Sequence, residues 1–301
     1  MLIVALPGEA RLAGRLARLL CCDWSALWQH RFPDGETLVR IDAPVQGRCV
    51  VLAGSLHQPD GKTLPLLFAA DAARDLGAAQ VGLVAPYLAY MRQDHRFNPG
   101  EAITSRSYAR LLSASIDFLV TVDPHLHRWR NLGEIYPIRT QAVAAAPMIA
   151  RWLRSHVDRP LVIGPDQESA QWVAEVARLT DAPWTVLSKT RLGDRDVRVT
   201  LADDGPWLGR TPVLLDDIIS TGQTLLAAAA TLMQAGMPAP LCIGVHALFD
   251  SGALQRLQDA GVTRVVTCDT ISHASNAIRL APLLVRAVLA VSNHSTQGKP
   301  P

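Results

Sequence analysis

Val213-Leu214-Leu215-Asp216-Asp217-Ile218-Ile219-Ser220-Thr221-Gly222-Gln223-Thr224 is the stretch on which the reading of this chain turns. Three apolar residues read as a buried strand, Val213–Leu215, that ends at two carboxylates. A short turn containing Gly222 follows, and a helix over Thr221–Gln234 begins. Backbone N–H groups in such a turn converge on one point, and the helix dipole adds positive potential there. Ser220, Thr221 and Thr224 add hydroxyl donors suited to phosphate oxygens. Asp216 and Asp217 can accept hydrogen bonds from vicinal hydroxyls of a sugar or hold a metal ion through water. The plainer reading makes Ser220 or Thr221 a helix cap and leaves the acids solvated. Two adjacent acids directly after an apolar strand argue against it.

Outward from this stretch, short apolar runs alternate with amphipathic ones. Strands are expected at Leu2–Leu6, Cys49–Ala53, Val81–Ala85, Phe118–Val122, Leu161–Ile163, Trp184–Leu187, Leu241–Val245 and Val265–Cys268. Helices are expected at Glu9–Leu20, Thr63–Leu76, Ser105–Ala114, Val143–Arg154, Ser169–Leu179, Gly252–Gln258 and Leu280–Ala290. Such alternation implies an α/β protein with parallel sheets covered by helices on both faces. The chain divides near Ile138–Ala146 into two halves, each with a sheet of four or five strands and with no strict internal repeat between them. The tail Asn293–Pro301 is polar, with Gly and Pro, and is expected to be disordered. Ligands of open parallel sheets sit beyond the carboxyl ends of the strands. Asp123 and His125 follow one strand, Asp166 another, and Lys189 and Arg191 a third.

Composition narrows the classes. The 301 residues carry 29 basic and 27 acidic side chains, a net charge of +2. That balance speaks against nucleic acid or an anionic membrane as partner, so any anion site must be local. Apolar residues make up 49% and charged residues 19%, the profile of a globular protein. The five cysteines, Cys21, Cys22, Cys49, Cys242 and Cys268, show no C-x-x-C spacing and read as reduced thiols of a cytoplasmic protein. The start, MLIVALPGEARLAGR, lacks a charged region before its apolar run and reads as a first strand, not a signal peptide. No apolar run approaches the ~20 residues of a membrane helix.

The opening stretch resembles the phosphoribosyl diphosphate loop shared by phosphoribosyltransferases and phosphoribosyl diphosphate synthases. Six further segments resemble the synthases in particular. His30-Arg31-Phe32-Pro33-Asp34-Gly35-Glu36 is similar to R-F-x-D-G-E, and Pro86-Tyr87-Leu88-Ala89-Tyr90-Met91-Arg92-Gln93-Asp94 to P-Y-x-x-Y-x-R-Q-D. Thr121-Val122-Asp123-Pro124-His125 is similar to T-V-D-x-H, and Ile163-Gly164-Pro165-Asp166 to apolar-x-P-D. Lys189-Thr190-Arg191 matches K-x-R, and Cys268-Asp269-Thr270-Ile271 matches C-D-T-I. They occur in the family's order across nearly the whole chain. The resemblance to ribose-phosphate diphosphokinase implies two phosphoribosyltransferase-like domains, each a mainly parallel sheet flanked by helices. Residues 1–142 would form the ATP side, 143–292 the ribose 5-phosphate side, and 293–301 a tail.

The resemblance also implies roles. Phe32, Asp34, Glu36, Arg92, Gln93, Asp94 and His125 would bind ATP. Asp216, Asp217, Ser220, Thr221, Gly222, Gln223 and Thr224 would bind ribose 5-phosphate. His125 and Asp166 would hold Mg²⁺, and Lys189 and Arg191 would be catalytic residues on a closing loop. The hairpin at Phe32 would reach the ATP site of a neighbouring subunit, which implies a homo-oligomer built from dimers. Each segment has a plainer reading too. Pro33-Asp34-Gly35 is good turn chemistry with Phe32 in the core, Arg92 and Gln93 fit a surface loop, Asp166 fits a helix N-cap, and KTRLGDRDVRV fits a solvated charge run. His127 reads as bystander surface and His246 as structural. Asn98-Pro99-Gly100-Glu101 and Ser220 resemble the archaeal-type branch, which the family pattern links to weak or absent phosphate activation and ADP allostery. Segment 164–169 lacks the glycine usual shortly after the aspartate. The rivals are a phosphoribosyltransferase, which has no use for the segments at Arg31–Glu36 and Arg92–Asp94, and a non-catalytic regulatory subunit, which should have lost Lys189, Arg191, His125, Asp216 and Asp217.

Overall fold

The computed structural model describes residues 1–126, 128–191, 197–200, 207 and 209–292. It resolves into two compact units. The first takes Met1–Val143 together with the C-terminal helix Ala281–Ser292, and the second takes Ala144–Leu280.

In the first unit the chain runs β1 (Leu2–Ala5), α1 (Ala10–Leu20), β2 (Asp23–Arg31), β3 (Thr37–Ile41), β4 (Cys49–Ala53), α2 (Asp60–Asp75), β5 (Gln80–Ala85), α3 (Thr104–Ser115), β6 (Phe118–Val122) and β7 (Arg139–Val143). The sheet order is β3-β2-β1-β4-β5-β6-β7. All pairs are parallel except β2 with β3, which form a hairpin. The central strands are apolar and buried on both faces because helices cover both. Leu66, Ala69 and Ala73 of α2 and Leu112 of α3 pack on one side of the sheet. α1 and the C-terminal helix pack on each other. Each fully buried Leu, Val or Phe contributes ~1.5–3 kcal/mol. Gly82 of β5 is forced by this packing, since a Cβ there would meet the Phe118 ring at 2.0 Å.

The second unit runs α4 (Ala146–His156), β8 (Pro160–Gly164), α5 (Ala170–Thr180), β9 (Trp184–Val186), β10 (Ser188–Arg191), β11 (Val197–Thr200), β12 (Thr211–Ile219), α6 (Gln223–Gln234), β13 (Leu241–Ala247), α7 (Ala253–Asp259), β14 (Arg264–Cys268) and β15 (Asn276–Ile278). Its main sheet has the order β15-β14-β13-β12-β8-β9 and is parallel throughout. β10 and β11 form a separate antiparallel pair. Leu225, Ala229 and Leu232 of α6 close one face over Leu161, Ile163 and Leu214.

Strand for strand, β2-β1-β4-β5-β6-β7 has the same neighbours and directions as β9-β8-β12-β13-β14-β15. Each second strand leads into a two-stranded antiparallel arm, β2–β3 in one unit and β10–β11 in the other. The sequence shows no strict repeat, yet the topology is duplicated. Four expectations are corrected. The helix after Leu280 packs on β5–β7 of the first unit, held there by Arg139, whose guanidinium donates to the Val291 carbonyl. The β2–β3 arm, β7 and β15 are strands that the apolar pattern did not mark. β12 runs on through Ile219, so the two acids lie within the strand. The charge-rich run at Lys189 starts as a ladder, with Lys189 opposite Val199 and Arg191 opposite Val197.

Candidate active site

In the second unit the candidate site gathers at the carboxyl end of β12, beside β8. β12 carries Asp216 opposite Gly244 of β13, and its last residues Ile218 and Ile219 remain paired with His246 and Ala247. The chain then turns through Ser220, Thr221 and Gly222 into α6. Gly222 holds φ +75, a left-handed conformation that suits glycine, and a Cβ there would come to 3.4 Å from Leu257. At the start of α6 the Thr221 Oγ1 accepts from the Gln223 N–H at 3.4 Å, and the turn sets the hydroxyls of Ser220, Thr221 and Thr224 beside the helix N-terminus, a place that suits an oxyanion.

The acids set the electrostatics. Burial, then the charges of Asp217 and Asp166, push Asp216 up to about 8. The Asp217 N–H donates to the Asp216 carboxylate at 3.0 Å, which offsets only part of this. Besides its neighbour Asp217, Asp216 feels the charge of Asp166, 50 residues away in sequence. Asp166 caps a short 3₁₀ turn, its Oδ1 accepting from Glu168 N at 3.1 Å and Ser169 N at 3.3 Å. Two braces of the loop were not legible in the sequence. Arg256 of α7 donates to the Thr221 carbonyl at 2.9 Å and to Asp250 at 2.7 Å, and the Asp250 N–H donates to the Ser220 carbonyl. An exposed arginine on a short helix carries no sequence signal for this task. The side chains of Lys189 and Arg191 lie outside the described residues, as does His127.

In the first unit the residues of interest follow β5 and β6. Tyr90 sits at φ +61, its hydroxyl donating to Asp60 at the start of α2 and its ring 4.7 Å from that of Tyr108. This clamp precedes Arg92 and Gln93, and α3 is tied in through the Gln93 carbonyl, which accepts from Ser105 N. Arg92 is exposed and Gln93 half-buried. Asp94 is buried and turned inward, paired with His95 at 2.8 Å and Arg128 at 3.0 Å. Burial pushes its carboxyl up, but hydrogen bonds from His95 and Arg128 outweigh that and hold it below the usual range. After β6, Asp123 and His125 have φ +33 and +52 around Pro124, a strained backbone of the kind found at working sites.

The β2–β3 arm presents Phe32 at its tip, 41% exposed rather than in the core. Pro33-Asp34-Gly35 does form the turn, with Gly35 at φ +95 and Asp34 accepting from Glu36 N. Trp28, His30 and Phe32 form one aromatic stripe, with Trp28 stacked on His30 and Phe32 edge-on to His30 at 4.7 Å. Among the described residues no cluster of three or more metal-ligating side chains is assembled. Burial first, and then the charges of Asp217 and Asp166, raise Asp216, and carboxylate oxygens of this kind suit a divalent cation held by oxygen donors and water.

Residues 1–115 match the N-terminal domain of ribose phosphate pyrophosphokinase, and residues 133–282 match the phosphoribosyl transferase domain. A ribose-phosphate pyrophosphokinase of Methanopyrus kandleri is 33% identical over 96% of this chain and 98% of its own. One of Sulfolobus acidocaldarius is 30% identical over 93% and 96%. The chain belongs to the ribose-phosphate pyrophosphokinase family. The crystal structure of phosphoribosylpyrophosphate synthetase from Mycobacterium smegmatis superposes with a TM-score of 0.83 at 25% identity, covering 96% of this chain and 98% of that one. These similarities span both units and agree with the archaeal-type features at Asn98–Glu101 and Ser220.

Proposed function

We propose that the first unit takes MgATP and the second takes ribose 5-phosphate. The family's reaction transfers the diphosphoryl group of ATP to the 1-hydroxyl of the sugar phosphate, giving phosphoribosyl diphosphate and AMP. The observation that carries the assignment is the β12–α6 loop, a hydroxyl-lined helix start beside two acids. Its N–H groups and the hydroxyls of Ser220, Thr221 and Thr224 receive the 5-phosphate, along with Gly222 and Gln223. Asp216 and Asp217 accept from the ribose hydroxyls.

On the donor side Arg92 and Gln93 hold the ATP phosphates, the arginine as a planar fork. Asp94 acts from behind, fixing His95 and Arg128. Phe32 offers its face to the adenine, with Asp34 and Glu36 at its edge. Phe32 stands at the end of an exposed stripe with Trp28 and His30, so the ATP it meets is held by a second copy of the chain, and dimers are the unit of assembly. His125 is the candidate ligand for the Mg²⁺ of MgATP, which when bound would supply charge neutralisation at the phosphates, and Asp166 is the candidate ligand for a metal near the ribose hydroxyls. The 1-hydroxyl oxygen attacks the β-phosphorus and gives up its proton to solvent, the bond from the β-phosphorus to the α–β bridging oxygen breaks, and AMP leaves with the electron pair. Lys189 and Arg191 stabilise negative charge on the β-phosphoryl oxygens and the leaving group, each such donor being worth ~3–4 kcal/mol in the barrier. No helix of the described residues is long and apolar enough to cross a membrane, and composition favours the cytoplasm.

The test is AMP formation from Mg²⁺, ATP and ribose 5-phosphate. AMP should appear only with the sugar phosphate and be lost in Lys189→Ala. AMP released equally without the sugar, or none at any Mg²⁺ concentration, refutes the assignment.

A further inference from the structure

The loop from β12 to α6 is held from behind by the turn that follows β13. The Ser220 carbonyl accepts from the Asp250 N–H at 3.3 Å, and the Thr221 carbonyl accepts from Nη2 of Arg256 at 2.9 Å. Asp250 places Arg256 in turn, its Oδ1 accepting from the same Nη2 at 2.7 Å. One amino group of the guanidinium thus spends both its hydrogens, one on the loop and one on the residue that holds it. Gly252 leaves the room this needs, since a Cβ there would come to 3.2 Å from Nη1 of Arg256. The turn is itself anchored. The Ala253 N–H donates to the Asp250 carbonyl at 3.3 Å, and the Phe249 ring lies 4.5 Å from that of His273, whose N–H donates to Asn276 at 2.9 Å.

Peptide planes carry this support to the front of the loop. A trans peptide points its N–H opposite to its C=O. The Ser220 carbonyl shares a plane with the Thr221 N–H, and the Thr221 carbonyl shares one with the Gly222 N–H. Holding both carbonyls toward α7 therefore turns both N–H groups to the other side. Neither N–H has an acceptor among the described residues. The two common types of β-turn differ by a flip of one such plane, so an unheld peptide in a turn readily swings its donor away.

We infer that Arg256 and Asp250 are positioning residues for the 5-phosphate: they fix the two peptides so that the Thr221 and Gly222 N–H groups meet the phosphate without reorganisation. The inference rests on the reading of this loop as the ribose 5-phosphate site. Donors fixed in advance cost nothing to align on binding, and affinity gains by that amount. Arg256 acts from behind, with its charge paired to Asp250.

The experiment titrates ribose 5-phosphate into the full chain by calorimetry and takes kcat and both KM values from AMP formation. Arg256→Met keeps the apolar stem and removes the donors. Its dissociation constant and KM for ribose 5-phosphate should rise about tenfold or more, the worth of a hydrogen bond from a charged group, with kcat and the KM for ATP unchanged. Arg256→Lys should recover part of the loss. Asp250→Ala separates position from charge. Removing a carboxylate leaves the loop more positive, so an arginine acting by attraction would bind the sugar phosphate more tightly there, whereas a positioning arginine that has lost its holder binds it more weakly. Tighter binding by Asp250→Ala, or wild-type affinity in Arg256→Met, overturns the inference and leaves the assignment of the loop standing. So does a fall in kcat and a rise in the KM for ATP with a lowered melting temperature, which would mark damage to the fold. Wild type that binds no ribose 5-phosphate overturns the assignment of the loop and the inference with it.

Discussion

Replacing Asp216 by asparagine should stabilise the metal-free protein while removing its function. Folded Asp216 titrates at about 8 rather than 3.8, chiefly through burial and then through the charges of Asp217 and Asp166. A carboxyl raised in this way favours the folded state most when protonated. Its contribution is fully present below pH ~4 and drains away as pH rises toward ~8. The gap between 3.8 and about 8, at ~1.4 kcal/mol for each tenfold, sets a ceiling of ~6 kcal/mol. Relaxation of the neighbouring acids and entry of water bring the expected effect to ~2–3 kcal/mol, the usual scale for a buried group left without compensation. Asparagine keeps the shape and can still accept from the Asp217 N–H. Thermal melts in EDTA at pH 6 and pH 9 measure the difference. Wild type should lose stability across that interval and the variant should not, so that at pH 9 the variant melts ~5–10 °C higher. Mg²⁺ should restore wild type at pH 9 and leave the variant unmoved, and AMP formation should fall with the substitution. A variant whose melting temperature follows wild type from pH 6 to pH 9 refutes the electrostatic argument.

Two further outcomes follow from the packing of the first unit. Gly82→Ala puts a methyl 2.0 Å from the fully buried Phe118 ring, and urea denaturation should show a loss of ~1–3 kcal/mol or more; a neutral result would mean that the ring is not confined. His57 is pulled down to about 4 by burial first and by Lys62 second, the ammonium lying 3.1 Å from its Nδ1. A histidine lowered in this way costs stability as pH falls from ~6.5 toward ~4. Lys62→Met should move its NMR titration upward without bringing it to the ordinary histidine value, and an unchanged midpoint would assign the whole shift to burial.

Much of the fold was legible because buried parallel strands are written as continuous apolar runs, as at Val81–Ala85 and Leu241–Val245. The β2–β3 arm was not. Its side chains are mostly exposed, so Trp24, Trp28 and Leu38 did not mark a buried strand, and the turn signal at Pro33–Gly35 was the one local cue. The C-terminal helix was assigned to the half it follows in sequence, because apolar periodicity reveals a sticky face but not what it sticks to. The strand-turn-helix at residues 213–234 was legible because strand, turn and helix are all local. Its braces Arg256 and Asp250, and the approach of Asp166, depend on topology and left no local trace.

The duplicated topology leaves side chains to set the two units apart. The loop from β4 to α2 occupies the place in the first unit that the phosphate loop occupies in the second. There the polar groups answer one another. Glu9 accepts from Ser55 N at 3.1 Å, Lys62 donates to the Ser55 carbonyl at 2.9 Å, and His57 meets the Ser55 hydroxyl at 3.3 Å. A loop whose donors are already engaged has little to offer a phosphate, and a lysine beside a histidine repels a divalent cation. At the counterpart Asp216–Thr224, burial is the largest cause that holds Asp216 well above the usual carboxylate range, and the hydroxyls of Ser220, Thr221 and Thr224 stand beside the start of α6. Farther along the first unit's sheet, after β5 and β6, Tyr90, Asp123 and His125 hold the backbone at positive φ, the strain that the β4–α2 loop lacks at Ser55 and His57.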